Sequence, residues 1–362
     1  MEQKFSSNVF SLPNNGKQIF YLSAGPSNGP LICFLHGWPG IAMTWKNQLQ
    51  AFARLGFYVV APDMPGYGQT WTSTDSSDYA LEKIVPQCID LLRHLGREEA
   101  IWFGHDWGCG PLWAIASHHP EVCTAVIAMS VPYRTLELGV NFLVSLVDRK
   151  LYPEDAFPYG QWDYQKFYEQ DAQTRAGDRQ FESNISDYIK LFFSKGSEKT
   201  GLSYARTSMV TKDGGWFGGP NVSPPQIPLS STVLDEELLT ELVSALTKTG
   251  FHGATSWYLN HAANEKYTRE TSVNGGHLKM PVLFIHTEYD AVCQTVHNPS
   301  FMKEMRALAE NLTEFTIKAG HWGLLECPEE TNAGTVEWIL KEVKGSWPGP
   351  DLKNEQSTPQ RL

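Results

Sequence analysis

The segment Ile101-Trp102-Phe103-Gly104-His105-Asp106-Trp107-Gly108-Cys109-Gly110 sets a carboxylate between two glycines, where an apolar run gives way to a helical pattern. Small residues on either side of Asp106 permit a strained strand-to-helix turn that lifts one side chain above a sheet. The same turn leaves backbone N–H groups of the following helix pointing at that side chain. An Asp here also has the ordinary reading of a helix N-cap. As a nucleophile, the carboxylate selects its own chemistry. A serine attacking an sp3 carbon would leave an ether, with no hydrolytic way out. A carboxylate leaves an alkyl ester, whose carbonyl a second water can attack, so Asp106 implies a substrate with an electrophilic alkyl carbon.

A second group supports this chemistry. Leu35-His36-Gly37-Trp38-Pro39-Gly40 follows an apolar strand pattern. Such a glycine-rich loop can turn a backbone N–H of Trp38 toward the elbow, where the Trp107 N–H would complete an oxyanion hole. Gly and Pro also punctuate ordinary turns, and the pairing with an elbow downstream is what gives the loop weight. Ile285-His286-Thr287-Glu288-Tyr289-Asp290 and Ala319-Gly320-His321-Trp322-Gly323 each lie just past an expected strand. Open α/β sheets bind ligands at such strand ends. The chain order Asp106, Asp290, His321 is the order nucleophile, acid, base. A histidine can take a proton from water while a carboxylate on its other nitrogen fixes the tautomer. Asp290 is preferred over Glu288 because it lies further past the strand. His36 and His105 adjoin the chemistry as loop-shaping neighbours that border the substrate.

These residues need a sheet to hold them. Apolar, β-branched runs at Gln18–Leu22, Leu31–Leu35, Tyr58–Ala61, Ala100–Gly104, Ala125–Ser130 and Val282–Thr287, with a weaker one at Leu312–Ile317, predict strands buried on both faces, as in a parallel sheet. Helical patterns alternate with them at Thr44–Leu55, Leu81–Leu95, Gly110–His118 and Pro328–Val343. Strand–helix alternation predicts an α/β fold. It stops after Pro132 and resumes at Met280. The spacing predicts a core of residues 1–132 and 280–347, a mostly helical insert over 133–279, and a polar tail over 348–362.

Composition excludes several classes. The 362 residues include 29 Lys plus Arg against 40 Asp plus Glu, a net charge of −11, which leaves no basic excess for nucleic acid or a polybasic membrane anchor. No apolar run reaches the length of a membrane span, and the first residues do not read as a signal peptide. Six scattered cysteines without a C-x-x-C pair predict reduced thiols in a cytoplasmic protein. Gln360-Arg361-Leu362 is a weak peroxisomal alternative.

From about Phe20 to Trp347 the chain resembles the soluble-type epoxide hydrolases of the α/β-hydrolase fold. The motifs are HGWP at 36–39, GYGQT at 66–70, GHDWG at 104–108 and GHW at 320–322. Two insert segments also match, Trp162-Asp163-Tyr164-Gln165 and Phe251 to Tyr258. The resemblance implies a mostly parallel eight-stranded sheet flanked by helices, with the insert as a helical cap. It implies a catalytic Asp106, His321 and Asp290, and cap tyrosines Tyr164 and Tyr258 that hydrogen-bond the epoxide oxygen. Spacing alone does not choose Tyr164 over its neighbours Tyr159 and Tyr168. Trp38 and Trp107 would line the pocket. The second segment reads Ser256-Trp257-Tyr258 where the family usually has Asn-Trp-Tyr. The resemblance implies an epoxide and water as reactants, no metal and no organic cofactor, and a monomer or homodimer.

Three other readings share these residues. Haloalkane dehalogenases have the same Asp nucleophile followed by Trp, but resemble HGNP or HGEP where this chain has Trp38. Fluoroacetate dehalogenases usually carry Arg at the Trp107 position. A catalytically idle binding protein of the same fold is the third, against which stands the presence of all three triad residues.

Overall fold

The computed structural model describes residues 5–201 and 203–349. The far end of the polar tail, including Gln360-Arg361-Leu362, and the first four residues lie outside the described residues. The apolar runs pair into one sheet of eight strands: β1 (Ser6–Ser11), β2 (Gln18–Ala24), β3 (Leu31–Leu35), β4 (Tyr58–Pro62), β5 (Ala100–His105), β6 (Cys123–Met129), β7 (Leu278–Thr287) and β8 (Ala309–Ile317). Their spatial order is β1-β2-β4-β3-β5-β6-β7-β8. Pairing is parallel from β4 through β8 and antiparallel at β1–β2 and β2–β4.

Two expectations need correction. The Gln18–Leu22 run is a strand, but it runs antiparallel to both neighbours. Its apolar composition reports burial on both faces, which a covered antiparallel strand shares with a parallel one. The edge strand β1 has no apolar run to announce it. In Ser-Ser-Asn-Val-Phe-Ser only Phe10 is buried, and Val9 is left 56% exposed. Polar edge strands resist pairing with other chains, and the same polarity hides them from hydrophobic pattern reading.

Strands β3 and β5 are buried throughout because helices cover both faces of the sheet. The Leu81–His94 helix contributes Ile84, Val85, Cys88, Leu91 and Leu92, the stripe expected of an amphipathic helix. Every residue of the Cys109–His118 helix is buried, so the elbow is backed by a fully packed element.

Between β6 and β7 the described residues form helices and turns, among them Asp163–Asp171, Ala176–Glu182, Glu236–Thr249 and His252–Ser256. The two ends of this stretch are tied together. The Tyr133 hydroxyl donates to the Gly276 carbonyl at 2.8 Å, and Arg134 Nη2 donates to Ser272 Oγ at 3.2 Å. A long insert with joined ends perturbs the sheet that hosts it little. No helix among the described residues is long and apolar enough to cross a membrane.

Candidate active site

Asp106 follows β5 and opens a 3-10 turn, Asp106–Gly108, ahead of the Cys109–His118 helix. Its φ is +52°, a left-handed conformation that costs a residue with a side chain about 1–3 kcal/mol. Two glycines make the turn fit. A Cβ on Gly108 would lie 2.0 Å from the Leu35 carbonyl oxygen, and one on Gly104 would lie 2.9 Å from the Gly108 carbonyl oxygen. The backbone strain is held by packing that admits no larger residue.

The loop after β3 meets this turn directly. The Trp38 N–H donates to Asp106 Oδ1 at 2.6 Å. A Cβ on Gly37 would fall 2.3 Å from Asp106 Oδ1 and 2.6 Å from the Trp107 nitrogen. His36 shapes the loop. Its Nε2 accepts from the Met64 N–H at 2.9 Å, which leaves the proton on Nδ1 to bond the Gly37 carbonyl at 3.0 Å. Burial pushes this imidazole down to about 4, so it stays neutral. His105 is bound through Nε2 to the His321 carbonyl oxygen at 2.8 Å, and burial pushes it down to about 3. Both rings hold backbone behind Asp106.

Past β7 and β8 the chain brings Asp290 and His321 to the same place. His321 Nδ1 lies 2.8 Å from Asp290 Oδ2, and Nε2 lies 3.5 Å from Asp106 Oδ2. Asp290 Oδ1 accepts from the Val292 N–H at 2.8 Å and the Cys293 N–H at 2.9 Å. It is Asp290 that faces His321, while Glu288 meets His297 through its backbone carbonyl. Burial disfavours a charged imidazole, but Asp290 first and then Asp106 outweigh it and hold His321 up at about 10. Burial likewise opposes the Asp290 carboxylate, and the His321 charge with the two backbone donors leaves it below its usual value. At neutral pH an imidazolium sits between two aspartates.

Two buried phenols approach from the helices between β6 and β7. Tyr164 lies in the first turn of Asp163–Asp171, where Asp163 accepts from the Thr211 N–H at 2.6 Å and ties the helix start down. Tyr258 follows the His252–Ser256 helix. The two rings stand 5.5 Å apart, and the Trp107 ring is 5.1 Å from Tyr258 at a right angle. Burial first, with the Asp106 charge contributing, pushes both phenols well above their ordinary value. They are neutral hydrogen-bond donors at any ordinary pH.

Beside Asp106 lies a cavity of ≈ 20 Å³, about the room one water needs, bordered by Trp107, Tyr164, Gln165, Trp162 and Cys293 among others. Tyr258, Trp38, His36 and His105 do not border it. Gln165 closes the insert segment that matches the family but was given no role from the sequence, and its Nε2 donates to the Tyr164 hydroxyl at 3.0 Å. Tyr168 is a third buried phenol, 5.0 Å from the Tyr258 ring. Cys293 makes, with Asp290 and His321, the one group among the described residues whose ligand atoms cluster within 4.8 Å. Burial holds its thiol protonated, and the two other members already bond each other. Three donors in that state suit a metal poorly, since zinc wants thiolate and four ligands.

Residues 30–328 match the family described as alpha/beta hydrolase fold. Bifunctional epoxide hydrolase 2 of Sus scrofa is 28% identical over 339 residues, which is 93% of this chain and 56% of that protein. The chain thus spans little more than half the length of that relative. Epoxide hydrolase A of Mycobacterium tuberculosis is 27% identical over 331 residues, covering 90% of this chain and 95% of its own. The solved structure of a Vigna radiata epoxide hydrolase mutant is similar with a TM-score of 0.73 at 26% identity, over 94% of this chain and 100% of that one. With the eight-stranded, mostly parallel sheet, the elbow and the matched span together, the chain belongs to the alpha/beta hydrolase fold family.

Proposed function

We propose that this chain is an epoxide hydrolase, converting an epoxide and water to a vicinal diol. The observation that carries the reading is an aspartate, not a serine, on the elbow, with Tyr164 bordering the same cavity as Asp106 and Tyr258 packed between Tyr164 and Trp107. In this reading Tyr164 and Tyr258 donate hydrogen bonds to the ring oxygen, and Asp106 attacks a ring carbon from behind. One C–O bond forms as the other breaks, and the oxygen takes a proton from a phenol as its negative charge develops. An alkoxide is a stronger base than a phenolate, so phenols with raised pKa values still serve.

The alkyl ester then changes the electrostatics of its own hydrolysis. His321 is held protonated by Asp290 and Asp106 together. Esterified Asp106 is neutral, which removes one of those anions while burial continues to favour neutral imidazole. His321 can then give its proton to the phenolate left by ring opening, take one from a water that attacks the ester carbonyl, and pass that one to the departing diol oxygen. The N–H groups of Trp38 and Trp107 stabilise the oxyanion, and the diol departs. Residues 133–279 act as the cap and residues 1–132 with 280–347 as the core. All six cysteines are unpaired and five are buried, which supports a reducing, cytoplasmic setting.

The test is a single turnover in ¹⁸O-water with enzyme in excess. The label should enter the Asp106 carboxylate and leave the diol unlabelled. Label found directly in the diol would mean that water attacks the ring, and the covalent reading would be wrong.

One observation favours dehalogenation. The indole N–H groups of Trp38 and Trp107 are buried without a partner, as donors for a departing halide would be. Its weight is small, because Trp45, Trp162, Trp216 and Trp338 are unpartnered in the same way.

A further inference from the structure

We propose that Arg175 is a positioning residue that fixes the spacing between Tyr164 and Tyr258 and references both to the sheet. The inference rests on the reading of the two tyrosines given above. Its basis is a junction of three chain segments on one guanidinium. Arg175 Nη1 donates to Thr255 Oγ1 at 2.9 Å, and Nη2 donates to Ser256 Oγ at 2.5 Å and to Ser76 Oγ at 3.0 Å. The Asp178 carboxylate lies 3.4 Å from Nη1 and balances the charge. Ser256, Thr255 and Asp178 are all nearly inaccessible to solvent.

Each partner belongs to a different support. Thr255 and Ser256 end the helix that delivers Tyr258 two residues later. Ser76 sits on the sheet side of the molecule, in the 3-10 turn Ser76–Tyr79 that precedes the Leu81–His94 helix. Arg175 itself is reached from the Tyr164 helix. Asp171, the last residue of that helix, accepts from the N–H groups of Ala176 at 2.8 Å and Gly177 at 2.7 Å. That carboxylate pins the turn and holds Arg175 at φ +53°, a strained value for a residue with a long side chain. Strain kept at a residue whose guanidinium joins three elements points to geometry as its purpose.

The junction also accounts for the departure at position 256. A hydroxyl there accepts from Arg175 and donates to the His252 carbonyl at 2.6 Å. The planar guanidinium bonds Thr255, Ser256 and Ser76 from two separate nitrogens, a spread that the single nitrogen of a lysine ammonium does not reproduce.

Arg175 touches no reacting atom, so its loss should affect the step that needs both phenols and spare the step that needs His321. Arg175→Met is expected to widen the 5.5 Å ring separation of Tyr164 and Tyr258 in a crystal structure. In single turnovers with styrene oxide it should slow alkylation of Asp106 by about 10²-fold, the scale of a 1 Å misplacement. Ester hydrolysis should stay within about twofold of the parent, and Arg175→Lys should recover part of the lost alkylation. Should Arg175→Met fail to fold, Ser76→Ala keeps the guanidinium and its Asp178 partner. That variant should show the same bias toward slowed alkylation, to a smaller degree. An unchanged ring separation, or equal losses in both steps, overturns the proposal. A parent enzyme that forms no ester with any epoxide would instead sink the reading of the reaction, while the ring separation would still decide the role of Arg175.

Discussion

His321 Nε2 stands 3.5 Å from Asp106 Oδ2, at the outer edge of hydrogen-bonding reach, while Nδ1 is fixed at 2.8 Å from Asp290. The near partner orients the ring, and the far one leaves when it is esterified. Replacing His321 should therefore separate the two half-reactions. With His321→Gln, alkylation of Asp106 remains available and ester hydrolysis stops. Intact-mass spectrometry after mixing with epoxide should show protein plus one substrate accumulating. Asp290→Asn should slow the same step less sharply, since it removes orientation and charge but leaves the base in place. Normal turnover by His321→Gln would reassign the base.

The same arrangement fixes the sign of a pH effect on stability. The folded value of His321, about 10, lies above the ordinary 6.5, so its ion pairs stabilise the fold fully below about pH 6.5. That contribution is lost as pH rises through about 10. Asp290 is shifted the other way, so its contribution is present above its ordinary value of 3.8 and is lost as pH falls below it. The thermal-unfolding advantage of the parent over His321→Gln should be largest between about pH 4 and 6.5 and shrink toward pH 10. An advantage that grows with pH in that range would contradict the assigned protonation.

Gly37 carries a steric prediction. The hypothetical Cβ 2.3 Å from Asp106 Oδ1 cannot be accommodated by a flexible tip, because the Trp107 backbone closes the other side at 2.6 Å. Gly37→Ala should destabilise the protein by about 1–3 kcal/mol, the usual range for overpacking. It should also displace the Trp38 N–H from Asp106, so activity should fall further than the loss of folded protein explains. Calorimetry alongside turnover measured on the folded fraction would separate the two effects.

How much of this was legible in the residues depends on distance along the chain. The elbow is local: Gly104, Asp106 and Gly108 announce the turn within five positions, and the glycines prove necessary for contacts under 3 Å. Asp290 and His321 were readable because each follows a strand by a few residues. The sheet was readable where both faces are buried and not at β1, whose polarity suits an edge. Tyr164 was not readable from pattern, since Tyr168 lies one turn on and is buried beside it. Arg175 left no trace, because what defines it is contact with residues the fold brings close, and Gln165, though inside a matched segment, showed no role until its bond to the Tyr164 hydroxyl was in place. The departure at Ser256 was visible as a difference, but its partners, Arg175 and Ser76, lie about 80 and 180 positions away in sequence.

The two phenols carry the prediction that separates epoxide opening from dehalogenation. Both reactions would use Asp106, His321 and Asp290, so variants of those residues cannot tell them apart. An epoxide leaves its oxygen attached beside the attacked carbon and in need of a proton. A halide leaves as a stable anion and is served by N–H donors. Tyr164→Phe or Tyr258→Phe should each slow ring opening by about 10²-fold, the usual scale for losing a positioned acid. The ring packing around Trp107 and Trp216 survives these changes, because Phe keeps the edge-to-face contacts of the phenol. Loss of activity can then be assigned to the hydroxyl. The double variant should scarcely alkylate Asp106 with epoxide, and an ester introduced by another reagent should still hydrolyse, because His321 is untouched. Parent-like ring opening by the double Phe variant would remove the two phenols from the reaction, and faster halide release than diol formation by the parent would move this chain to the dehalogenase reading.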